Sequence, residues 1–539
     1  MSFTELTREI AARFLQTVVV FDDEAYLQAP DDQPPDDPAL VAPGPRGEHP
    51  TPIESADEAR APSKNQQLDA KVLMDSFAER GQVCAVLAPA KHEDLVGTVV
   101  NCGRKADVLV LDWQIGKDSG ATAIKVVNRV LAEDLKQGGR LRLVVIYTGE
   151  PHLKTCCDTV LKQVTGLSLL SDEAFVLVKE NFRLVFIRKT DGSMAPDDSA
   201  SERDLPDRII REFSQFVGGL LPNAAMTAAA AVRENVHVLL QRFAKELDGA
   251  YLGHRMLLPQ PEDAESFLFE LIGDEIKSLF DLPVLADHAV GIASLRDYLE
   301  ECHGHSQLVL KSSKKADDNS TKSIPIDQVL KVIEGSPKAI EENWQWGSKN
   351  HLYERLHPLF HGSIDDGKRS YAAFSRLSSF RREGFNAHLP DDFEPMLSLG
   401  TILKDTGGRY LICLQPVCDC VRLDCMKARN FLFGEFDPSE KPFDLVVRDE
   451  TGDVRLCFAV SPYRVFTIAF NPGDRSGVFG RKMDEAFSFQ SEDEARYAWI
   501  GDLRRLVAQR FALKFSEQVS RIGLDEFEWQ RLYSQRSDG

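Results

Sequence analysis

Five residues within the first 190 positions have types and spacings that could do chemistry together. Asp22 and Asp23 stand side by side at the end of the apolar run "TVVVFDD", and Asp112 closes a second run, "VLVLDW". Thr148 ends a third, "VVIYTG", and Lys189 a fourth, "LVFIRKT". Three carboxylates brought to one place make an oxygen-rich site of the kind that holds Mg2+. A hydroxyl and an ammonium on its other side would bind phosphoryl oxygens. The chemistry of such a set is transfer of a phosphoryl group onto a carboxylate, where catalysis is positioning and charge neutralisation. Taken singly, an Asp at a strand end is most often a turn or cap residue. What distinguishes this set is that four apolar runs in the same part of the chain all end in a matching group.

These residues can meet only if the runs are neighbouring strands. "NQQLDAKVLMDSFAERG", "HEDLVGTVVNCG", "GATAIKVVNRVLAEDLKQGG" and "EPHLKTCCDTVLKQVTG" have helical spacing, and "LPDRIIREFSQFVGGLL" closes the series. Between them lie "QVCAVLAP", "ADVLVLDW", "LRLVVIYTG" and "FRLVFIRKT". Their apolar residues run without polar alternation, which predicts strands covered on both faces and hence a parallel sheet. Alternating βα units predict an α/β, doubly wound sheet of five parallel strands with its reactive groups at the carboxyl ends.

With these four strand ends in order, residues 16 to about 220 resemble the receiver domain of two-component response regulators, a flavodoxin-like fold. That family has an acidic pair after strand 1, a phospho-accepting aspartate after strand 3, Thr or Ser after strand 4 and Lys after strand 5. The resemblance implies that Asp112 is phosphorylated by a partner's phosphohistidine. It implies that Asp22, Asp23, Asp112 and the backbone carbonyl of Gln114 hold Mg2+, while Thr148 and Lys189 bind the phosphoryl oxygens. Gly149 would be the small residue after the hydroxyl, and Phe186 would take the place of the family's aromatic switch. Two departures stand out. Thr190 follows Lys189 where the family usually has a cis proline. Residues Gln28–Ser63 are inserted after strand 1, where receivers have a short loop.

That insertion holds nine of the chain's 27 prolines and eight acidic residues against two arginines, a composition predicting disorder. At 539 residues the chain is long enough for about three domains. The expected division is 1–220 for the receiver-like part, 221–385 for a mainly helical region and 386–539 for a small antiparallel β module. Hairpins are predicted in "GTILKDTGGRYLICLQPV" and "FDLVVRDETGDVRLCFAV", and a further strand in "SPYRVFTIAF". The stretch "DEARYAWIGDLRRLVAQRFALKFSEQVSRIG" has helical apolar spacing and predicts a C-terminal amphipathic helix.

A net charge of −20 argues against broad binding to nucleic acid phosphates. The first residues have no apolar core of a signal peptide, and no apolar run reaches about 18 residues, so a cytoplasmic protein without membrane contact is expected. Ten irregularly spaced cysteines do not make a secreted disulfide framework. Cys413, Cys418, Cys420 and Cys425 lie within 13 residues, but their spacing is not a standard zinc pattern, and core cysteine is the plainer reading. In an extended strand Cys418 and Cys420 would share a face. His351, His357 and His361, and the 303–305 pair, read as surface histidines without a kinase-type helical signature. No nucleotide-binding or hydrolase motif occurs, so the chemistry expected of the chain is gain and loss of a phosphoryl group at Asp112.

The resulting expectation is a phosphorelay protein with Mg2+ as cofactor, a sensor histidine kinase upstream and an effector protein downstream, a homodimer being compatible. In organisation the chain is similar to receiver-bearing intermediate proteins of bacterial anti-phage phosphorelays of the Detocs type. Two alternatives stay open: a receiver-regulated enzyme with a catalytic C-terminal region, and a pseudo-receiver scaffold that is never phosphorylated.

Overall fold

The computed structural model describes residues 1–27 and 67–519, apart from 89–93, 137, 171, 172, 174, 191–196, 259, 260, 262, 303–306, 312–320, 343–358, 362, 386–388, 391, 441, 473–476, 484 and 485. The insertion expected at 28–63, His351, His357 and the 303–305 pair therefore lie outside the described residues. The chain divides into two compact units, Met1–Val309 with Thr321–Gly347, and Leu310–Ser320 with Ser348–Gly539.

The first unit opens with α1 (Phe3–Phe14), whose start is fixed by a capping box between Ser2 and Glu5. Phe3, Leu6 and Ile10 recur at helical spacing and are buried. One sheet follows, made of β1 (Thr17–Phe21), β2 (Val83–Leu87), β3 (Val108–Leu111), β4 (Arg142–Thr148), β5 (Ser168–Leu169), β6 (Val176–Lys179), β7 (Phe182–Lys189) and β8 (Ser199–Ala200). Five of these strands are parallel, in the order β2-β1-β3-β4-β7. The flanking helices are α2 (Ala70–Ala78), α3 (Leu95–Gly103), α4 (Ala121–Lys136), α5 (Leu153–Gln163) and α6 (Leu205–Val217). Alternate strand residues feed two cores. Val18, Val20, Val110, Val145 and Ile187 pack with α1, α2 and α6, while Val19, Phe21, Leu111, Ile146 and Phe186 pack with α3, α4 and α5.

Two expectations about this sheet need correction. It has eight strands, because β5 and β6 extend it antiparallel and β8 adds to β7 in parallel. The missed signal is a two-residue turn: Glu180 takes φ 43°, and Glu180-Asn181 folds "VLVK" back on "FRLVFIRK" as a hairpin. β2 is not covered on both faces, since it is the edge strand and Val83 remains largely exposed. The outer edge of β7, in contrast, is sealed along its length by β6 and then β8.

The same unit continues through α7 (Leu220–Arg242), α8 (Asp248–Leu257), α9 (Asp263–Ser278), α10 (Pro283–Val290), α11 (Ile292–Cys302) and α12 (Ile326–Glu342). Arg233 of α7 ties this helical part to the amino-terminal edge of the sheet. Its guanidinium donates to Phe14 O at 2.9 Å and to Asp107 at 3.0 and 2.9 Å, and Asp107 also accepts the Gln16 and Thr17 amides.

The second unit holds α13 (Ile364–Ser379), β9 (Phe380–Glu383), β10 (Thr401–Asp405), β11 (Tyr410–Cys413), β12 (Arg429–Pro438), β13 (Leu445–Asp449), β14 (Gly452–Phe458), β15 (Val465–Phe470), β16 (Arg481–Met483), β17 (Ala486–Gln490), β18 (Arg496–Leu503) and α14 (Arg505–Val519). The antiparallel module is thus larger than expected, a sheet of ten strands. β15 pairs with β12, and its Phe470 bridges to Ser491 just beyond β17, so the sheet curls around Leu411, Phe433, Phe470, Phe489 and Trp499. On the other face, Phe511 of α14 packs edge-on against Phe436. The expected C-terminal helix is shorter than its apolar pattern. Arg496–Leu503 is a strand inside the sheet, with Tyr497 and Trp499 on its inner face, and helix begins only at Arg505. Aromatic alternation decided this segment, where helical spacing had been read across it.

Candidate functional site

Parallel register brings the candidate residues together. Phe21 aligns with Leu111, and Leu111 with Ile146, so Asp22 and Asp112 leave adjacent strands at the same level. The Asp112 amide donates to Phe21 O at 2.8 Å. Thr148 aligns with Arg188, one residue before Lys189. Strands lie about 4.8 Å apart, so Lys189 starts roughly 10 Å from β3, a gap closed jointly by the lysine and aspartate side chains.

Lys189 Nζ donates to Asp22 Oδ2 at 2.6 Å and lies 3.3 Å from Asp112 Oδ1. Asp22, Asp112, Thr148 and Lys189 are all buried. Three further carboxylate oxygens are held by backbone amides. Glu24 N donates to Asp22 Oδ1 at 2.9 Å, Gln114 N to Asp112 Oδ2 at 2.7 Å and Gly116 N to Asp23 Oδ2 at 2.9 Å. The loop after Asp112 makes this possible by turning through left-handed conformations at Gly116, Lys117, Ser119 and Gly120. At Gly120, with φ 88°, a Cβ would sit 2.2 Å from the buried Trp113 indole, so that indole covers a place only glycine leaves open.

Burial, with the like charge of Asp22 beside it, pushes the Asp112 carboxyl up to about 6, although Lys189 and the Gln114 amide oppose this. For Lys189 burial favours the neutral amine, yet the charges of Asp112 and Asp22 outweigh it and hold the ammonium above its ordinary value. The lysine therefore stays charged at neutral pH.

Asp23 differs from its neighbour: its Oδ1 is buried and takes no hydrogen bond. An unsatisfied carboxylate oxygen beside two further carboxylates is a donor set that fits a hard divalent cation. Among the described residues no three His, Cys, Asp or Glu side chains already converge as a ligand set, and Lys189 contacts both Asp22 and Asp112. Phe186 is buried and meets Trp113 edge-on at 6.2 Å. Thr148 Oγ1 accepts the Glu150 amide at 3.2 Å. Sequence reasoning missed Glu150, whose Oε1 accepts the Gln114 side-chain amide at 2.5 Å across the mouth of the site. Its position two residues after Thr148 was the available signal.

Thr190 has a structural use for the N–H that proline would lack. It donates to Ala200 O at 3.3 Å, continuing the pairing of β7 with β8. The base of the insertion is also fixed, since Ala25–Tyr26 pairs in parallel with Leu68–Asp69. Of the cysteine group, Cys413 and Cys420 are buried and Cys418 and Cys425 exposed. Cys418 sits in a 3-10 turn, Val417–Asp419, so Cys418 and Cys420 do not share a face as a strand would require. His361 is half-buried with its ring 6.0 Å from that of Tyr371.

Residues 14–194 match the family model described as Response receiver domain. That span covers β1 through β7 and every candidate site residue, and the match supports a receiver domain in this part of the chain. No curated protein and no solved structure matches the chain.

Proposed function

We propose a two-component, phosphorelay-type signalling role with a histidine kinase or phosphotransfer partner, a reading supported by the receiver-domain match over residues 14–194. In this reading Asp112 is the phosphoacceptor, and the helical and β regions after the receiver pass its state to a downstream effector. The supporting observation is Lys189, a buried ammonium shared between Asp22 and Asp112 at the carboxyl ends of three strands. With its carboxyl near 6, Asp112 is mostly ionised at neutral pH and able to attack phosphorus. A phosphorus–oxygen bond forms as the phosphorus–nitrogen bond of the donor histidine breaks, and the imidazole leaves. Lys189 and the Thr148 hydroxyl would neutralise and bind the phosphoryl oxygens. Asp22, Asp23, Asp112 and the Gln114 carbonyl would hold Mg2+, which supplies further charge neutralisation when bound. An anti-phage setting, with a sensor kinase before the chain and an effector after it, is the circuit its organisation fits.

The test is to incubate the full chain with Mg2+ and either acetyl phosphate or its kinase, comparing wild type with Asp112→Asn by intact mass. The wild type should gain one phosphoryl group and the variant none. A wild type that never gains one, even from its own kinase, would overturn the proposal.

A further inference from the structure

The second half of α7, with α8 and α9, lacks a core of its own. From Val232 to His288 the one buried residue among those described is Ala264. Each of the three helices nevertheless carries an apolar pair at i, i+4: Val236 with Leu240, Leu252 with Met256, and Phe267 with Leu271, all between 42% and 80% exposed. α9 is apolar on more than one side. Leu268, Ile272 and Ile276 form a half-buried stripe, while Phe269 stands 72% exposed outside it. A helix with apolar residues on more than one side needs partners there, and helices of 10 and 16 residues such as α8 and α9 are marginal in water alone.

We propose that this face is a dimerisation surface, closed by the same helices of a second copy of the chain. The area fits. The six paired side chains, with Phe269 and Leu257, expose roughly 800–1,000 Å2, taking about 150–200 Å2 for a fully exposed residue of this size. A stable interface needs about 800 Å2 from each partner, and homodimer interfaces are the more apolar kind. The occupant must also be lasting, because α8 has no buried side chain and α9 only Ala264 among the described residues, and a second copy is present wherever the chain is. A membrane is the less fitting occupant: residues 236–302 carry 13 acidic against five basic residues, the wrong sign for an anionic surface. No single helix among the described residues is long and apolar enough to cross a bilayer, although α9 with the α10–α11 run passes that test as a pair bent by 58°.

The test uses the full chain and the double variant Met256→Glu/Leu271→Glu, whose sites are already exposed in one protomer. Light scattering should give the wild type twice the 60.2 kDa chain mass at micromolar concentration. The variant's dimer dissociation constant should rise at least about 30-fold. Like charges flank the interface, so raising the salt should hold or tighten the dimer. Amide exchange in residues 248–278 should slow with rising protein concentration, while exchange in β3 and β4 stays constant and reports that the variant remains folded. A monomeric wild type, a dimer indifferent to the two substitutions, or concentration-independent exchange in 248–278 would overturn the proposal. So would a monomer that floats with vesicles of phosphatidylcholine and phosphatidylglycerol.

Discussion

Asp112→Asn should make the protein more stable at neutral pH in metal-free buffer, against the usual effect of altering a buried residue. The buried Asp112 carboxyl stands at about 6, against 3.8 for the exposed group. At about 1.36 kcal/mol per pH unit, that gap corresponds to up to about 3 kcal/mol. The fold binds this proton more tightly than the unfolded chain does. Stability from the group is therefore full below 3.8 and is lost as pH rises through about 6. Near pH 7.5 the wild type carries the whole penalty of a buried, ionised carboxylate, and asparagine carries none of it. Some of the gain is returned, because Asn accepts less strongly from Lys189 and the Gln114 amide. The assay is urea unfolding at a series of pH values, read by amide exchange in β3 so that the second unit does not contribute. The advantage of the variant should shrink towards zero near pH 4. A variant less stable than wild type near pH 7.5, or a difference flat across the series, would show that Lys189 outweighs burial and would refute the reasoning.

Asp23→Asn should weaken Mg2+ binding about tenfold or more with little loss of stability, because its Oδ1 has no hydrogen bond to lose; calorimetric titration measures it. Chelating divalent cations should abolish labelling of Asp112 by acetyl phosphate, as followed by intact mass. Thr190→Pro, although it restores the family's usual residue, should cost about 1–3 kcal/mol by deleting the amide bonded to Ala200 O. Faster amide exchange in β8 would report it, and unchanged exchange would count against that bond. Phe186→Ala should cost about 3–5 kcal/mol through the cavity left beside Trp113, measured by urea denaturation.

The parallel strands were legible because burial on both faces leaves continuous apolar runs, as in β3 and β4, and because those runs end at the candidate site residues. The β5–β6 extension was not, because a hairpin with a Glu-Asn turn merges with β7 into one apolar stretch when read linearly. In β18, Tyr497 and Trp499 alternate along a strand, yet their neighbours also fit a helical period over so short a span. Among the site residues, types and strand positions could be read directly. Which acid Lys189 would choose could not, since that depends on register across three strands. Neither could the free Asp23 Oδ1, which follows from the left-handed turn at Gly116 drawing away its other oxygen.

One ammonium is shared by two of the three carboxylates in this pocket, and that imbalance ties its properties together. With Asp22, Asp23 and Asp112 ionised, Lys189 leaves an excess of two negative charges in a largely buried place. An acyl phosphate on Asp112 brings a charge of about −2 in place of one, so the excess grows unless something positive enters. A proton can offset it, but a proton on Asp112 would remove the nucleophile of the proposed reaction, which would place its useful range above about 6. A divalent cation would offset it and leave the carboxylate ionised. Lys189 would then be the group with most to redistribute, since its contacts at 2.6 Å and 3.3 Å divide it between Asp22 and Asp112. Next to it, Thr190 N–H binds Ala200 O, Ser201 anchors the start of α6 through the Leu205 amide, and α6 packs against α1. A change in how Lys189 is shared would thus be made one residue from the pairing that leads into α6.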